Sequence, residues 1–278
     1  MKRSMYNRFL PAVLVATLVA ITHSSPTQAE EGYGSISGRF ILKGDVPKTE
    51  FLIKDGLLAG TNAKPKNADI CAASDLPSDA LVVDPKTKGI GNIFIYLRKA
   101  PKQIHPDLKA VPKKELMFDQ KACRFFPHAM FVRAGQTVRV LNGDNCGHNT
   151  HTYPLRNEAN NFVVPANFRK GVPLVHEAAE ILPMKVGCDI HPWMSAYWLI
   201  LDHPYAAVTV AKQSKEKGAP LVGSFKIDKL PAGDYEFRVW HEKTGYIGVG
   251  TRRGFKVTIK SGSDVEKTFE VPASTFTE

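Results

Sequence analysis

The sequence has almost no helical periodicity, no uninterrupted block of basic residues and, past its N-terminal stretch, no apolar run long enough to cross a bilayer. The first absence argues against a helical fold, because a surface helix repeats its apolar residues about every three to four positions. The second leaves a nucleic-acid partner without support. Lysines alternate with acids in "KAVPKKELMFDQK" and "KQSKEK", so the formal net charge of +10 reads as a solvated basic surface, with an acidic partner as the lesser alternative. The third leaves no transmembrane helix in the processed chain. There is no internal repeat, and no Met-rich or His-rich tract of the kind that stores metal. No Ser-His-Asp or nucleophilic-Cys arrangement is indicated, so an enzyme is not expected.

What is present begins with Lys2, Arg3 and Arg8, continues through "LPAVLVATLVAI", and reaches "SSPTQA" ahead of "EEGYGS". A basic start, a short apolar core and small residues at its end make a secretory signal peptide over residues 1–29, cleaved after Ala29. The expectation is a periplasmic or secreted protein. Cleavage removes three basic residues and no acidic ones, so the net charge falls from +10 to +7. The remaining length suits one large domain or two ordinary ones. Cys71, Cys123, Cys146 and Cys188 then lie where disulfides form.

Short β-branched or alternating runs dominate: "GSISGRFIL", "ALVVD", "NIFIYLRK", "HAMFVRA", "TVRVLN", "AYWLILD", "AAVTVA", "GSFKID", "YEFRVW", "FKVTIK" and "EKTFEV". Gly, Pro, Asn and Asp separate them, in "DPKTKG", "NGDNCG" and "LPAGDY". This is the pattern of an all-β sandwich protein. Only "DGLLAGTN" and "PDLKAVPKKEL" suggest short helical turns. Residues 116–204 differ from what surrounds them, whereas 30–115 and 205–278 look like the beginning and end of one small sandwich. The expected architecture is therefore a central β-domain inserted in, or packed against, a second β-sandwich.

The central region holds "CDIHPWM", Cys188 to Met194, which sets a thiol, an imidazole and a thioether three residues apart. Forty residues upstream stands His148, in "NGDNCGHNTH", directly after the run "QTVRVLN". Two imidazoles and a thiolate with a long thioether contact are the donors of a blue-copper electron-transfer site. Sulfur favours Cu(I), imidazole serves both oxidation states, and a rigid β scaffold holds a geometry between their preferences. Pro192 biases His191 towards an extended conformation, so the loop should wrap an ion and not coil into a helix. His151 competes with His148 for the upstream position. Residues three apart on a strand face opposite ways, and His148 is chosen because it lies at the strand-end turn. His128 reads as structural, and His105, His176, His203 and His241 as ordinary surface or hydrogen-bonded histidines.

"FFPHAMFVRAGQTVRVLNGDNCGHNTH" followed by "VGCDIHPWM" resembles the cupredoxin family, and the Cys-x-x-His-x-x-Met spacing is most similar to the amicyanin type. The resemblance covers about residues 116–204 and implies a Greek-key sandwich. It maps His148, Cys188, His191 and Met194 onto the ligands of one copper ion cycling between Cu(I) and Cu(II). It also maps Asn149 onto the residue that steadies the ligand loop by hydrogen bonding. The flanking "GSFKIDKLPAGDYEFRVWHE" resembles the carboxypeptidase-regulatory, transthyretin-like sandwich. Cys146 departs from the usual cupredoxin turn, and the large flanks depart from a minimal carrier.

The rivals lack parts. A dinuclear copper centre needs a second Cys in the loop, structural zinc rarely takes Met, and copper oxidases and nitrite reductases need His-x-His pairs that do not occur here. The expected function is one-electron transfer by a type 1 (blue) copper protein serving an exported redox partner such as a c-type cytochrome or a dehydrogenase. The alternative is a copper-binding module of the cell envelope with no electron-transfer role. Pro192, Trp193 and Tyr197 could form an apolar patch for the partner, or Trp193 could pack in the core or against the second sandwich. With Cys188 kept as a thiolate, the favoured disulfide is Cys71–Cys123. It would close a loop of about fifty residues, worth about 2–5 kcal/mol, and leave Cys146 as an unpaired turn residue or a modulator of the site. The rival pairing is Cys123–Cys146.

Overall fold

In the computed structural model, which describes residues 32–277, the chain is nearly all β, with two four-residue α-helical turns, Ala68–Cys71 and Pro106–Lys109, and a short 3-10 turn at Ala273–Phe276. The expected signal peptide, residues 1–29, lies outside the described residues. No helix among those described is long and apolar enough to cross a membrane.

Four principal sheets stack face to face, and strand alternation explains why. The strand Phe94–Leu97 is buried at every residue. Ile95 and Leu97 face one core, with Phe40, Phe237 and Phe255, while Phe94 and Tyr96 face another, with Leu199 and Leu201. Period-2 alternation with both faces apolar lets a sheet serve as a middle layer. The first sheet orders Ser224–Pro231, Tyr33–Lys43 and Asp264–Pro272, the last two parallel. Gly38 is needed here, since a Cβ on it would lie 2.0 Å from the carbonyl oxygen of Lys267. The second sheet orders Ala206–Val208, Phe94–Leu97, Gly233–His241 and Gly245–Tyr246, with Gly254–Ile259 also on Gly233–His241.

The third sheet orders Asn161–Val164, His148–Tyr153, Met184–Gly187, Ser195–Leu201 and Ala129–Arg133, the last pair parallel. The fourth orders Val172–Leu174, Val138–Asn142, Leu116–Lys121 and Arg124–Phe126. Between these two lies a core containing Phe118, Val140, Val186, Ala196, Trp198 and Ile200. Trp198 meets Phe118 edge-on at 4.8 Å, and Phe118 stacks on Phe125 at 4.9 Å. Aromatic pairs of this kind contribute about 0.5–1.5 kcal/mol beyond the area they bury.

Two segments differ from the sequence reading. "ALVVD" makes no strand, only a bridge between Val83 and Ile90. The stretch from residue 51 to 77 forms a small sheet of Phe51–Lys54, Leu57–Leu58 and Leu76–Pro77. Although it falls within the 30–115 flank, its Ile53, Cys71 and Leu76 enter the core of the third and fourth sheets. Cys71 and Cys123 are disulfide-bonded, which ties that stretch to the fourth sheet.

His105, His176, His203 and His241 are all buried, so none is a surface histidine. Burial depresses the pKa of His176 and His203, and it drives His241 down to about 3, with the nearby His128 and Lys243 adding to the effect. The unfolded chain therefore binds protons that the folded chain refuses from the ordinary value of 6.5 down to about 3. In that window stability rises with pH, by about 1.4 kcal/mol per unit for one such group. His241 alone should cost about 2 kcal/mol between pH 6.5 and pH 5. Denaturant unfolding should show this loss in the wild type and a smaller one in His241→Gln; equal losses would contradict it.

Candidate metal centre

The Cys188–Met194 loop is a hairpin connection whose ends are pinned by the pairing of Gly187 with Ser195. Within it, the N–H of Met194 donates to the carbonyl of His191 at 2.9 Å, and the N–H of Cys188 to that of Met194 at 3.3 Å. His148 opens the strand that pairs with Met184–Gly187. His148, Thr150 and Thr152 turn inward and are fully buried, while His151 and Tyr153 turn outward. The alternation settles which imidazole reaches the interior.

His148 and His191 approach through their Nδ1 atoms at 2.9 Å, and His191 Nδ1 lies 3.8 Å from Cys188 Sγ. The donor atoms of His148, Cys188 and His191 all fall within 4.8 Å of one another. Two other such clusters occur among the described residues, but each includes a sulfur of the Cys71–Cys123 disulfide, which is not free to ligate. A metal bonded at about 2.0–2.1 Å to nitrogen and 2.3 Å to sulfur needs nitrogens about 3.4 Å apart and nitrogen and sulfur about 3.6 Å apart. The imidazoles need only separate by about half an ångström, so the three residues fit a metal. Met194, at the end of the loop, is buried in the same core cluster as Cys188, and its thioether would be the fourth donor.

The surroundings orient these groups. His148 Nε2 donates to Asp144 Oδ2 at 2.8 Å, and His191 Nε2 to Asn67 Oδ1 at 3.1 Å. With a metal bound, both Nδ1 lone pairs would then be turned to the centre. Asn149 hydrogen-bonds the ligand loop. Its N–H points at Cys188 Sγ from 3.4 Å, and its Oδ1 accepts from the N–H groups of Asp189 and Ile190 at 2.7 and 3.2 Å. Asn142 and Asp144 fold the "NGDNCGH" turn: Asn142 Nδ2 donates to the carbonyls of Cys146, Val164 and Pro165, and the Asp144 carboxylate accepts from Ala122 and Cys123 N–H.

Burial pushes the Cys188 thiol up, but hydrogen bonding to the His148 and His191 rings and to the Asn149 and His191 N–H groups outweighs it and brings the thiol down to about 6. Cys146, free and buried, goes the other way: burial and the Asp144 and Asp69 carboxylates push it up to about 11. Burial opposes ionisation of Asp144 too, yet its bonds to His148, Cys123 and Ala122 hold the carboxyl below its usual range.

His151 bonds Asp189 and Asn161 and stacks on Tyr153 at 4.2 Å, away from the cluster. His128 pairs with Glu242. The Pro192, Trp193 and Tyr197 side chains do not form one open patch. Pro192 is exposed, but Trp193 tilts against His191 at 5.1 Å and, with Leu52, Asp79, Arg124 and Met194, lines a cavity of about 80 Å³. Tyr197 packs between sheets, 5.2 Å from Trp240. Sequence reasoning missed Asp144 and Asn67. Asp144 stands four residues before His148, a spacing that could have been read as a carboxylate–imidazole pair; nothing local marks Asn67.

No protein-family model and no curated protein matches the chain. Solved structures resemble part of it. The Cu-containing nitrite reductase from Thermus scotoductus SA-01, at 17% identity and TM-score 0.28, matches 33% of this chain and 23% of its own. A purple cupredoxin from Nitrosopumilus maritimus, at 18% and 0.26, matches 31% of this chain and 98% of its own. An oxidised amicyanin mutant, at 19% and 0.28, matches 31% and 81%. The chain thus spans under a quarter of the nitrite reductase, and none of these likenesses reaches beyond about a third of it, so the functional reading stands on the donor set itself.

The two free thiols should separate on titration. In metal-free protein, ultraviolet thiolate absorbance should rise near pH 6 and again near pH 11. Cys188→Ser should remove the first step and Cys146→Ser the second. A single step near the ordinary value of 9 would contradict the assignment.

Proposed function

We propose that this chain is an exported type 1 copper protein that transfers single electrons and is not itself an enzyme, with His148, Cys188, His191 and Met194 as ligands of one copper ion. The observation that carries the reading is the convergence of two imidazole Nδ1 atoms on a buried thiol poised to ionise, with both imidazole Nε2 atoms held by protein acceptors. Bound there, copper would supply a one-electron couple.

The chain's own residues do the rest. Cys188 Sγ gives up its proton at neutral pH, so the thiolate is ready to bind a cation. Asn149 holds the loop and points its N–H at that sulfur. The sheets bury the donor atoms away from water, and so rigid a frame would limit how far they rearrange when an electron moves. The partner in this reading is an exported redox protein, such as a c-type cytochrome or a dehydrogenase. Residues 116–204 act as the copper-binding sandwich, carried on a second one built from the flanks.

Loading the purified protein with Cu(II) should give a thiolate-to-copper absorption band that disappears on reduction. Cys188→Ser should abolish the band, and His148→Ala and His191→Ala should weaken copper affinity by more than the roughly 10- to 100-fold that loss of an outer hydrogen-bond partner costs. Met194→Leu should keep the colour and shift the reduction potential, because a thioether would hold copper more weakly than the thiolate and the imidazoles. Colourless binding, or loss of the site in His151→Ala with His148→Ala unaffected, would overturn the ligand assignment. A coloured centre that does not cycle with a c-type cytochrome would favour the envelope-module alternative.

A further inference from the structure

The residues that hold the outer nitrogens of the two imidazoles are joined to each other. Asn67 has the left-handed backbone φ 53, ψ 48 ahead of the Ala68–Cys71 turn, a conformation Asn tolerates better than most residues. Its Oδ1 accepts from His191 Nε2, and its backbone carbonyl accepts from the N–H of Cys71 at 2.8 Å. Cys71 is bonded to Cys123. The N–H of Cys123 donates to Asp144 Oδ2 at 2.8 Å, the same oxygen that accepts from His148 Nε2. An unbroken path therefore leads from one imidazole to the other around the outside of the donor cluster.

We infer that Asn67 is a positioning residue for His191 and that the Cys71–Cys123 disulfide is the brace that keeps it in place. The inference rests on the copper reading only for its metal-loaded measurement. Asn67 is 124 residues from His191 in the chain, so no local turn brings them together. It reaches the ring because the stretch from residue 51 to 77 packs into the core through Ile53 and Leu76 and is tied by Cys71. With Nε2–H engaged, the His191 ring is held with its Nδ1 edge towards Cys188 and His148. Without that acceptor, the ring can turn and exchange its proton between nitrogens. His148 is held on its side by Asp144, which also clamps the turn at Ala122 and Cys123, so the brace supports both rings from one covalent joint.

Asn67→Gly preserves the left-handed backbone and removes only the amide, Asn67→Asp restores an acceptor, and Cys71→Ser/Cys123→Ser removes the joint. Imidazole nitrogen NMR of the metal-free protein should show His191 protonated at Nε2 and exchanging slowly with solvent. Asn67→Gly should lose this protection while His148 keeps its own, and Asn67→Asp should recover it. In copper-loaded protein, transfer of the metal to a chelator should accelerate about tenfold in Asn67→Gly and comparably in the disulfide-free variant. Combining the changes should add little, because both remove the same hold. Unchanged His191 exchange in Asn67→Gly, or effects that multiply when combined, would overturn the inference. A wild-type protein that takes up no copper would instead overturn the functional reading, and the nitrogen spectra would still decide the brace.

Discussion

Because the strand Ser195–Leu201 is packed on both faces, its register cannot slip by one residue without exchanging two cores. Ala196, Trp198 and Ile200 fill the core shared with the fourth sheet, and Leu199 and Leu201 fill the one shared with the second. A slip would put Leu199 where Trp198 fits. The hairpin loop from Cys188 to Met194 begins and ends at the pair Gly187–Ser195, so its start and finish inherit that fixed register. His148 inherits it too, through pairing of its own strand with Met184–Gly187. The spacing of the donors is thus set by packing that lies well away from them.

Charge imposes the second constraint. Cys188 as a thiolate and Asp144 as a carboxylate are both nearly enclosed, and their hydrogen-bond partners among the described residues include no Lys or Arg. An isolated buried anion is costly unless it is paired or coordinates a metal. In the metal-free chain the imidazoles are the groups available for compensation, and burial, which opposes protonation of His148, is outweighed by Asp144 and Cys188, so its pKa is raised. A cation at the centre would meet the same demand and leave both imidazoles neutral. The Asp144 carboxylate, acting through His148, makes that ring a stronger donor.

Much of this was legible in the sequence where the cause is local. "AYWLILD" and "NIFIYLRK" announce strands through their apolar residues, and the Cys-x-x-His-x-x-Met spacing announces the loop because one short connection carries all three groups. Period-2 alternation set His148 and His151 on opposite faces, and the position at the strand-end turn favoured His148; in the fold His148 is buried and His151 half-exposed. What could not be read depends on long-range packing. The burial of His203 and His241 arises where distant strands close over them. The placement of Trp193 and Tyr197 depends on which neighbours cover the loop, and Asn67 sits in a polar stretch with nothing to distinguish it from any other turn residue.

The stretch from residue 51 to 77 explains why the flank is more than a carrier for the central sheets. A seven-residue loop offers few groups of its own for steadying His191: Pro192 has no N–H, and Trp193 presents a ring face and no hydrogen-bond acceptor. The hold has to come from another part of the chain, and a part drawn from so far away stays in place only if the entropy of keeping it there is offset. Ile53 and Leu76 offset some of it by burial, and the disulfide lowers the entropy of the unlatched chain. That second contribution exists only where the bond stays oxidised. Support of the imidazole through Asn67 is therefore coupled to the redox state of that one bond.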